Sequence, residues 1–217
     1  MVTGPPRSPM NRTLPGQVRI IAGHWRGSKL PVANRPGLRP TADRVRETLF
    51  NWLPHSLAGL RALDLFAGTG ALGFEAASRG AAEVVLLERD PGLAASLRDS
   101  AVRLKAERLR VETVDAPAWL SRAADGRFDL VFLDPPFAAG LWSEVAARLA
   151  PWLAEGAWIY VESAREAVYE VPAGWRLHRE GQTREVCYRL YRYRAGAVAG
   201  GAATLAGEPR GEDSTLA

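Results

Sequence analysis

The sequence predicts an α/β fold built on a mostly parallel sheet. From residue 61 onward, short apolar runs alternate with Ala- and Leu-rich stretches of helical spacing. Strands that are apolar on both faces belong in a parallel sheet that helices cover on each side. The predicted strands are RALDLF, EVVLLE, RVETV, DLVFLD and AWIYVE.

The C-terminal part departs from this alternation. WRLHRE and REVCYRLYRY flank a glycine-containing turn, which predicts an antiparallel hairpin at the sheet edge. The sheet then has seven strands. Five alternating units followed by a terminal hairpin are typical of Rossmann-like, class I methyltransferases.

A small N-terminal region precedes the sheet. QVRIIAG and SKLPVAN predict two short strands joined through HWRG, with Gly23 and Gly27 in the turn. LRPTADRVRETLFNWL predicts an amphipathic helix whose apolar face carries Val45, Leu49, Trp52 and Leu53. We expect the opposite, polar face to carry Arg44, Arg46, Glu47 and Asn51.

The chain length of 217 residues, 47% of them hydrophobic, suits one large domain with a small appendage. We expect a disordered tail at 1–16, a basic hairpin and helix at 17–53, a methyltransferase domain at 54–194 and a second disordered tail at 195–217. Both tails are too poor in core-forming residues to fold.

Charge is distributed unevenly along the chain. Residues 1–53 contain nine basic and two acidic residues, a balance of +7, whereas residues 54–217 contain 19 basic and 22 acidic residues, a balance of −3. A basic arm on a mildly acidic body is typical of a protein that binds a polyanion such as nucleic acid.

Composition also excludes several classes of protein. Cys187 is the single cysteine, and the three histidines lack metal-ligand spacing, so we expect neither a disulfide nor a metal site. The sequence has no apolar run of 18 residues and no secretory signal. We therefore expect a soluble, cytoplasmic protein with no membrane contact, and a monomer.

A glycine loop follows the first predicted strand. LDLFAGTGALG contains Gly68, Gly70 and Gly73 as G-x-G-x-x-G, and Glu88 ends the next strand twenty residues after Gly68. The glycines allow the backbone to approach a ligand, and Glu88 can accept both hydroxyls of a ribose. This pattern suits any adenosine-containing cofactor, whether NAD or S-adenosylmethionine.

Two further acids favour S-adenosylmethionine. Asp64 precedes the first glycine by four residues, where a negative charge would repel a pyrophosphate but would attract the ammonium of S-adenosylmethionine. Asp115 ends the third predicted strand and can receive an adenine amino group, although a helix cap explains it equally well.

The fourth predicted strand ends in Asp134, Pro135, Pro136 and Phe137, next to the cofactor strand at the topological switch point. The exocyclic amine of a nucleobase is a poor nucleophile because its lone pair is delocalised. If Asp134 and the Pro135 carbonyl each accept one N–H bond, the lone pair points at the methyl donor. The prolines fix the backbone, and Phe137 can stack on a base that has been swung out of its helix.

The chain resembles the bacterial RsmD family, the 16S rRNA guanine-966 N2-methyltransferases. The resemblance covers about residues 17–193, through VRIIAGHWRGSKLPV, GLRPTADRVRETLFNWL, LDLFAGTGALGFEAASRGA, VFLDPPF, WIYVES and CYRLYRY. The LRPTADRVRETLFN block is far more specific than the glycine loop, which many unrelated enzymes share.

The resemblance implies transfer of methyl from S-adenosylmethionine to the N2 amine of one guanine in 16S rRNA of the small ribosomal subunit. It implies cofactor contacts by Asp64, Phe66, Gly68, Gly70, Glu88, Asp115 and Thr41. It implies a catalytic loop at Asp134, Pro135, Pro136 and Phe137, and contacts with RNA through Arg19, Arg26, Lys29, Arg39 and Arg44.

Other interpretations explain part of the pattern. An N6-adenine methyltransferase acting on DNA or RNA could use the same D-P-P-F loop, and only the N-terminal block argues against it. An NAD-dependent oxidoreductase would explain the glycine loop and Glu88 but not D-P-P-F. A non-catalytic RNA-binding protein would not need Asp64, Glu88 and Asp134 together.

Overall fold

The computed structural model describes residues 16–33, 43–135 and 141–196. A seven-stranded sheet forms its centre. The strands are β3 (Arg61–Asp64), β4 (Glu83–Glu88), β5 (Leu109–Thr113), β6 (Phe128–Leu133), β7 (Leu153–Ala164), β8 (Trp175–Gln182) and β9 (Val186–Tyr193). Their order is β5-β4-β3-β6-β7-β9-β8, and the first five run parallel while β9 is antiparallel to both of its neighbours. The predicted α/β sheet with its terminal hairpin is confirmed.

Helices connect the parallel strands. They are α2 (Ala71–Ser78), α3 (Pro91–Leu104), α4 (Ala116–Leu120) and α5 (Trp142–Leu149), the last followed by a 3₁₀ turn at Ala150–Trp152. The short helix α4 follows β5, the third strand of the parallel region, and begins directly after Asp115. Within the described residues, no helix is both long and apolar enough to cross a bilayer.

The N-terminal region forms the predicted hairpin and helix. β1 (Gln17–Arg19) pairs antiparallel with β2 (Lys29–Pro31), and α1 (Asp43–Trp52) follows. The strands are shorter than predicted because Ile20 to Ser28 form the connection. Gly23 and Gly27 have φ angles of 82° and 85° in this connection, as expected of turn glycines.

One apolar cluster lies on each face of the sheet. The first contains Ile20 and Leu30 of the hairpin, Leu49 of α1 and Phe74 of α2. The second contains residues of α4 and α5 with Trp152. The hairpin and α1 therefore share a core with the sheet. The predicted tails fall almost wholly outside the described residues.

The prediction for Arg46 was wrong. Arg46 is fully buried, with 0% of its surface exposed, and it does not lie on the polar face of α1. Its guanidinium donates to the Arg19 carbonyl at 2.8 Å and to Asp43 Oδ1 at 2.6 Å, and it lies 3.8 Å from a carboxylate oxygen of Glu75, which is equally buried. From the helical spacing, a charged side chain at this position was expected to face solvent. The fold instead places Arg46 beside Glu75, a buried acid on α2.

Candidate active site

The glycine loop lies at the carboxyl end of β3. Gly68 and Gly70 have φ angles of 52° and 77°, in the left-handed region that favours glycine. A Cβ on Gly73 would overlap the Leu86 side chain, so this third glycine lets α2 pack closely on β4. The loop therefore presents its backbone at the topological switch point, where β3 lies between β4 and β6.

Glu88 ties this loop to the end of β4. Its Oε2 accepts the Gly68 N–H at 2.9 Å and its Oε1 accepts the Asp90 N–H at 2.8 Å. The carboxylate is thus fixed by backbone donors on both oxygens. Each oxygen has a second lone pair, so the fixed carboxylate keeps the capacity to accept two hydroxyl groups.

Asp64 is buried at the end of β3, with 2% of its surface exposed. Its Oδ2 accepts the Gly73 N–H at 3.2 Å. Burial raises the pKa of Asp64 to about 7, although the backbone N–H groups of Gly73 and Phe66 act in the opposite direction. A buried carboxyl with this pKa is well placed to gain from a cationic ligand.

Phe66 and Asp115 border the same edge. Phe66 is partly buried against the second apolar cluster. Asp115 is the N-cap residue of α4, yet its side chain makes no capping hydrogen bond. The capping interpretation of its carboxylate, left open by the sequence, therefore has no support from the hydrogen bonds at this helix.

Asp134 follows β6, the strand next to β3, and Pro135 is buried directly after it. The pKa of Asp134 is raised well above its usual range, first by burial and then by the negative charges of Glu162 and Asp64. Asp134 therefore interacts with an acid at the carboxyl end of each neighbouring strand, Asp64 of β3 and Glu162 of β7.

Glu162 and Tyr160 of β7 were not predicted as site residues. Glu162 is 8% exposed and accepts the Tyr160 hydroxyl at 2.9 Å. Burial, followed by the charge of Glu162, raises the pKa of Tyr160, so its hydroxyl stays protonated and donates. Both residues belong to the motif WIYVES, through which the sequence resembles the family. The motif does not reveal that Glu162 lies near Asp134, because that proximity depends on the pairing of β6 with β7.

Comparison with known proteins identifies the family. A family model described as Conserved hypothetical protein 95 matches residues 18–192. Ribosomal RNA small subunit methyltransferase D of Escherichia coli (strain K12) is 48% identical over 188 residues, covering 85% of this chain and 94% of its own. The protein of that name from Haemophilus influenzae is 45% identical over 181 residues, covering 81% and 94%. The chain belongs to the RsmD family.

Solved structures agree with this membership. The putative methyltransferase yhhF from Escherichia coli has a TM-score of 0.75 at 49% identity, covering 83% of this chain and 99% of its own. An RNA methyltransferase from Salinibacter ruber, solved with S-adenosyl-L-homocysteine, has a TM-score of 0.56 at 17% identity over 72% of this chain and 95% of its own, and supports the fold alone. This RsmD family member therefore has the class I methyltransferase fold.

The N-terminal hairpin of this RsmD family member is docked on α2. Glu75 Oε2 accepts the Ile21 N–H at 2.7 Å and its Oε1 accepts the Ala22 N–H at 3.0 Å. The backbone carbonyl of Ser78 accepts the His24 N–H at 2.7 Å. Glu75 is 0% exposed, and no sequence motif indicated its role. The hairpin is therefore fixed to the same helix that follows the glycine loop.

The predicted RNA-facing residues that the structure describes are exposed: Arg19, Arg26, Lys29 and Arg44. Arg103 of α3, which was not predicted, donates to the Lys29 carbonyl at 2.7 Å and is also exposed. It adds a basic side chain to this surface. Its neighbour in space lies 74 residues away in the chain, so only the fold brings the two together.

Four predicted residues lie outside the described ranges: Arg39, Thr41, Pro136 and Phe137. Their roles stay predictions. Within the described ranges, no group of three or more His, Cys, Asp or Glu side chains is arranged to hold a metal ion.

Proposed function

We propose that the protein transfers the methyl group of S-adenosylmethionine to the exocyclic N2 amine of a guanine in 16S rRNA, the family's guanine 966. The observation that carries the proposal is the meeting of Asp64 and Glu88 with Asp134 at adjacent strand ends in a chain 48% identical to a ribosomal RNA small subunit methyltransferase D. Membership of a methyltransferase family argues against the oxidoreductase alternative.

The described residues fit an adenosyl cofactor. Gly68 and Gly70 give the loop a left-handed backbone that glycine favours. Each carboxylate oxygen of Glu88 accepts one backbone N–H and has a further lone pair for a ribose hydroxyl. Asp64 would bind the ammonium group, and Asp115 would bind the adenine amine. When bound, S-adenosylmethionine supplies a sulfonium-activated methyl group.

Asp134 and the Pro135 carbonyl would orient the substrate amine. Each accepts one N–H bond, which leaves the nitrogen lone pair directed at the methyl carbon. Methyl transfer from the bound cofactor would leave a positive charge on this nitrogen. The nitrogen then loses a proton, for which Asp134, with its raised pKa, is a competent acceptor.

The basic surface would hold the RNA backbone. Arg19, Arg26, Lys29 and Arg44 are exposed on a hairpin and helix that are packed against the catalytic sheet. Phosphate contacts from such side chains set the register of the nucleic acid without reading its sequence.

The test uses small ribosomal subunits from a strain that lacks this methylation. The protein is incubated with labelled S-adenosylmethionine, and the label is mapped by nuclease digestion and mass spectrometry. We expect one N2-methylguanine in 16S rRNA.

Asp134→Ala should lower the turnover by about 100-fold or more while S-adenosylhomocysteine still binds. Label on adenine N6, or unchanged turnover in Asp134→Ala, would contradict the proposal.

A further inference from the structure

The D-P-P-F motif leaves one question open, because its chemistry serves the N2 amine of guanine and the N6 amine of adenine alike. The two bases differ in the atom next to that amine. Guanine carries an N1–H donor beside N2, whereas adenine carries an N1 lone pair beside N6. A group that distinguishes the bases must therefore meet N1.

Glu162 lies where such a group is needed. Leu133, the last residue of β6, pairs with Val161 of β7, so the residues that follow them, Asp134 and Glu162, lie side by side at the carboxyl ends of adjacent strands. Adjacent strands are about 4.8 Å apart. The charge of Glu162 raises the pKa of Asp134, so the two carboxyl groups interact.

Tyr160 fixes the orientation of Glu162. It lies two residues earlier on β7, on the same face, and its hydroxyl donates to Glu162 Oε2 at 2.9 Å. Tyr160 is 0% exposed and packs against Phe132 with ring centroids 6.4 Å apart. One carboxylate oxygen is therefore held by a rigid donor, which sets the direction of the other.

A pair of neighbouring acceptors matches guanine and opposes adenine. Guanine presents N1–H and N2–H on one edge, so Glu162 and Asp134 would each receive a donor, and the repulsion between the two acids would be relieved. Adenine would bring its N1 lone pair toward the Glu162 carboxylate. A buried acceptor that faces a lone pair instead of a donor is strongly unfavourable.

We propose that Glu162 accepts the N1–H of the target guanine and so determines the base that is methylated, with Tyr160 as its positioning residue. The inference rests on the proposed function, since it concerns a base bound at Asp134. It assigns the choice of guanine to a residue outside the D-P-P-F loop.

The test replaces the target guanine by 2-aminopurine, which keeps the N2 amine but has a lone pair at N1. Small subunits are reconstituted with 16S rRNA that carries either base, and kcat/KM for methyl transfer is measured. In Glu162→Gln, the Tyr160 hydroxyl still donates to the side-chain oxygen, and the amide NH₂ then faces N1. We expect the guanine to 2-aminopurine ratio of kcat/KM to fall by about 100-fold.

Two further variants make the result interpretable. Glu166→Gln makes the same chemical change at an exposed residue just after β7 and should leave the ratio unchanged. Tyr160→Phe removes the orienting donor and should lower the ratio several-fold, so it tests the inference even if Glu162→Gln folds poorly. Binding of S-adenosylhomocysteine reports the integrity of each variant.

The outcomes separate the inference from the proposed function. If the wild type methylates guanine N2 but Glu162→Gln and Tyr160→Phe keep the wild-type ratio, the inference is wrong and the proposed function stands. If the wild type methylates adenine N6 and not guanine, both fail together.

Discussion

Asp64 shows how burial makes one carboxyl sensitive to pH near neutrality. Burial raises its pKa from 3.8 to about 7, so the folded protein binds this proton more tightly than the unfolded chain does. Stability from this group is therefore greatest at low pH and is lost as the pH rises from about 4 to 7. Between pH 5 and pH 8 we expect a loss of about 2 to 3 kcal/mol.

Asp64→Asn tests this expectation. The variant cannot ionise at this position, so its free energy of unfolding, measured by urea titration without cofactor, should change less between pH 5 and pH 8 than that of the wild type. An equal change in both proteins would show that Asp64 is already ionised at pH 5 in the folded state.

Glu88 provides the second prediction at this scale. Both of its oxygens accept backbone N–H bonds, so Glu88→Gln places an amide NH₂ against one of these donors. We expect S-adenosylhomocysteine to bind about 10- to 100-fold more weakly, since removal of a charged hydrogen bond costs about 1.5 to 3 kcal/mol. Isothermal titration calorimetry measures the change, and an unaltered Kd would remove Glu88 from the cofactor site.

Individual site residues were predictable to different degrees. Asp64 and Glu88 each end a strand, Asp134 directly follows one, and all three belong to a motif, so the sequence indicated them directly. Glu162 was not predicted because it reaches Asp134 only through the pairing of β6 with β7. Arg46 was misplaced because helical periodicity cannot reveal the buried Glu75 that lies near it.

At the scale of the elements, the connection between β1 and β2 packs so closely on α2 that a side chain at one position would not fit. A Cβ on Gly23, which has φ of 82°, would overlap the Ser78 carbonyl. Gly27 has nearly the same backbone, with φ of 85°, but a Cβ there would meet nothing within 4 Å. A substitution at Gly27 therefore introduces backbone strain alone, whereas one at Gly23 introduces the same strain and a steric overlap with α2.

Substitution of each glycine by alanine measures that difference. Gly27→Ala should lower the free energy of unfolding by about 1 to 2 kcal/mol, the cost of a left-handed non-glycine residue. Gly23→Ala carries that cost and the overlap with Ser78 as well, so we expect it to be clearly the more destabilising in urea titrations. Equal losses would mean that the hairpin moves away from α2 at no cost.

The elements themselves were largely predictable. Apolar runs mark most of the parallel strands, and the parallel sheet with its terminal hairpin follows from their alternation with helices. The edge strand β5 has only one buried residue, Leu109. The hairpin strands β1 and β2 came out shorter than predicted because Glu75 and Ser78 bind the backbone that follows β1. A tertiary interaction of this kind leaves no trace in local periodicity.

For the whole molecule, the uneven charge sets the expected salt dependence of RNA binding. Arg26 and Lys29 are exposed on the docked hairpin, and we expect their reversal to Glu to weaken binding to small subunits. The slope of log K against log salt should become shallower by about 1 for each phosphate that the protein no longer neutralises. Filter binding over a series of salt concentrations measures both effects.

Arg127→Glu is the matched control. Arg127 is exposed and directly precedes β6, so it lies at the amino end of the strand whose carboxyl end leads into Asp134. Its reversal changes the net charge as much as the reversal of Arg26 or Lys29 alone, yet the affinity and the slope should stay close to those of the wild type. A similar loss of affinity in the control would attribute the effect to total charge and not to the hairpin surface.

The attachment of the hairpin to α2 also bears on how freely its sequence can drift. Ile21, Ala22 and His24 bind α2 through their backbone N–H groups, which almost any amino acid supplies. Selection for these backbone contacts therefore falls on Glu75 and Gly23, whereas exposed side chains of the loop such as that of Arg26 remain free to vary. Related proteins can therefore change the exposed groups of this loop while keeping the loop in place.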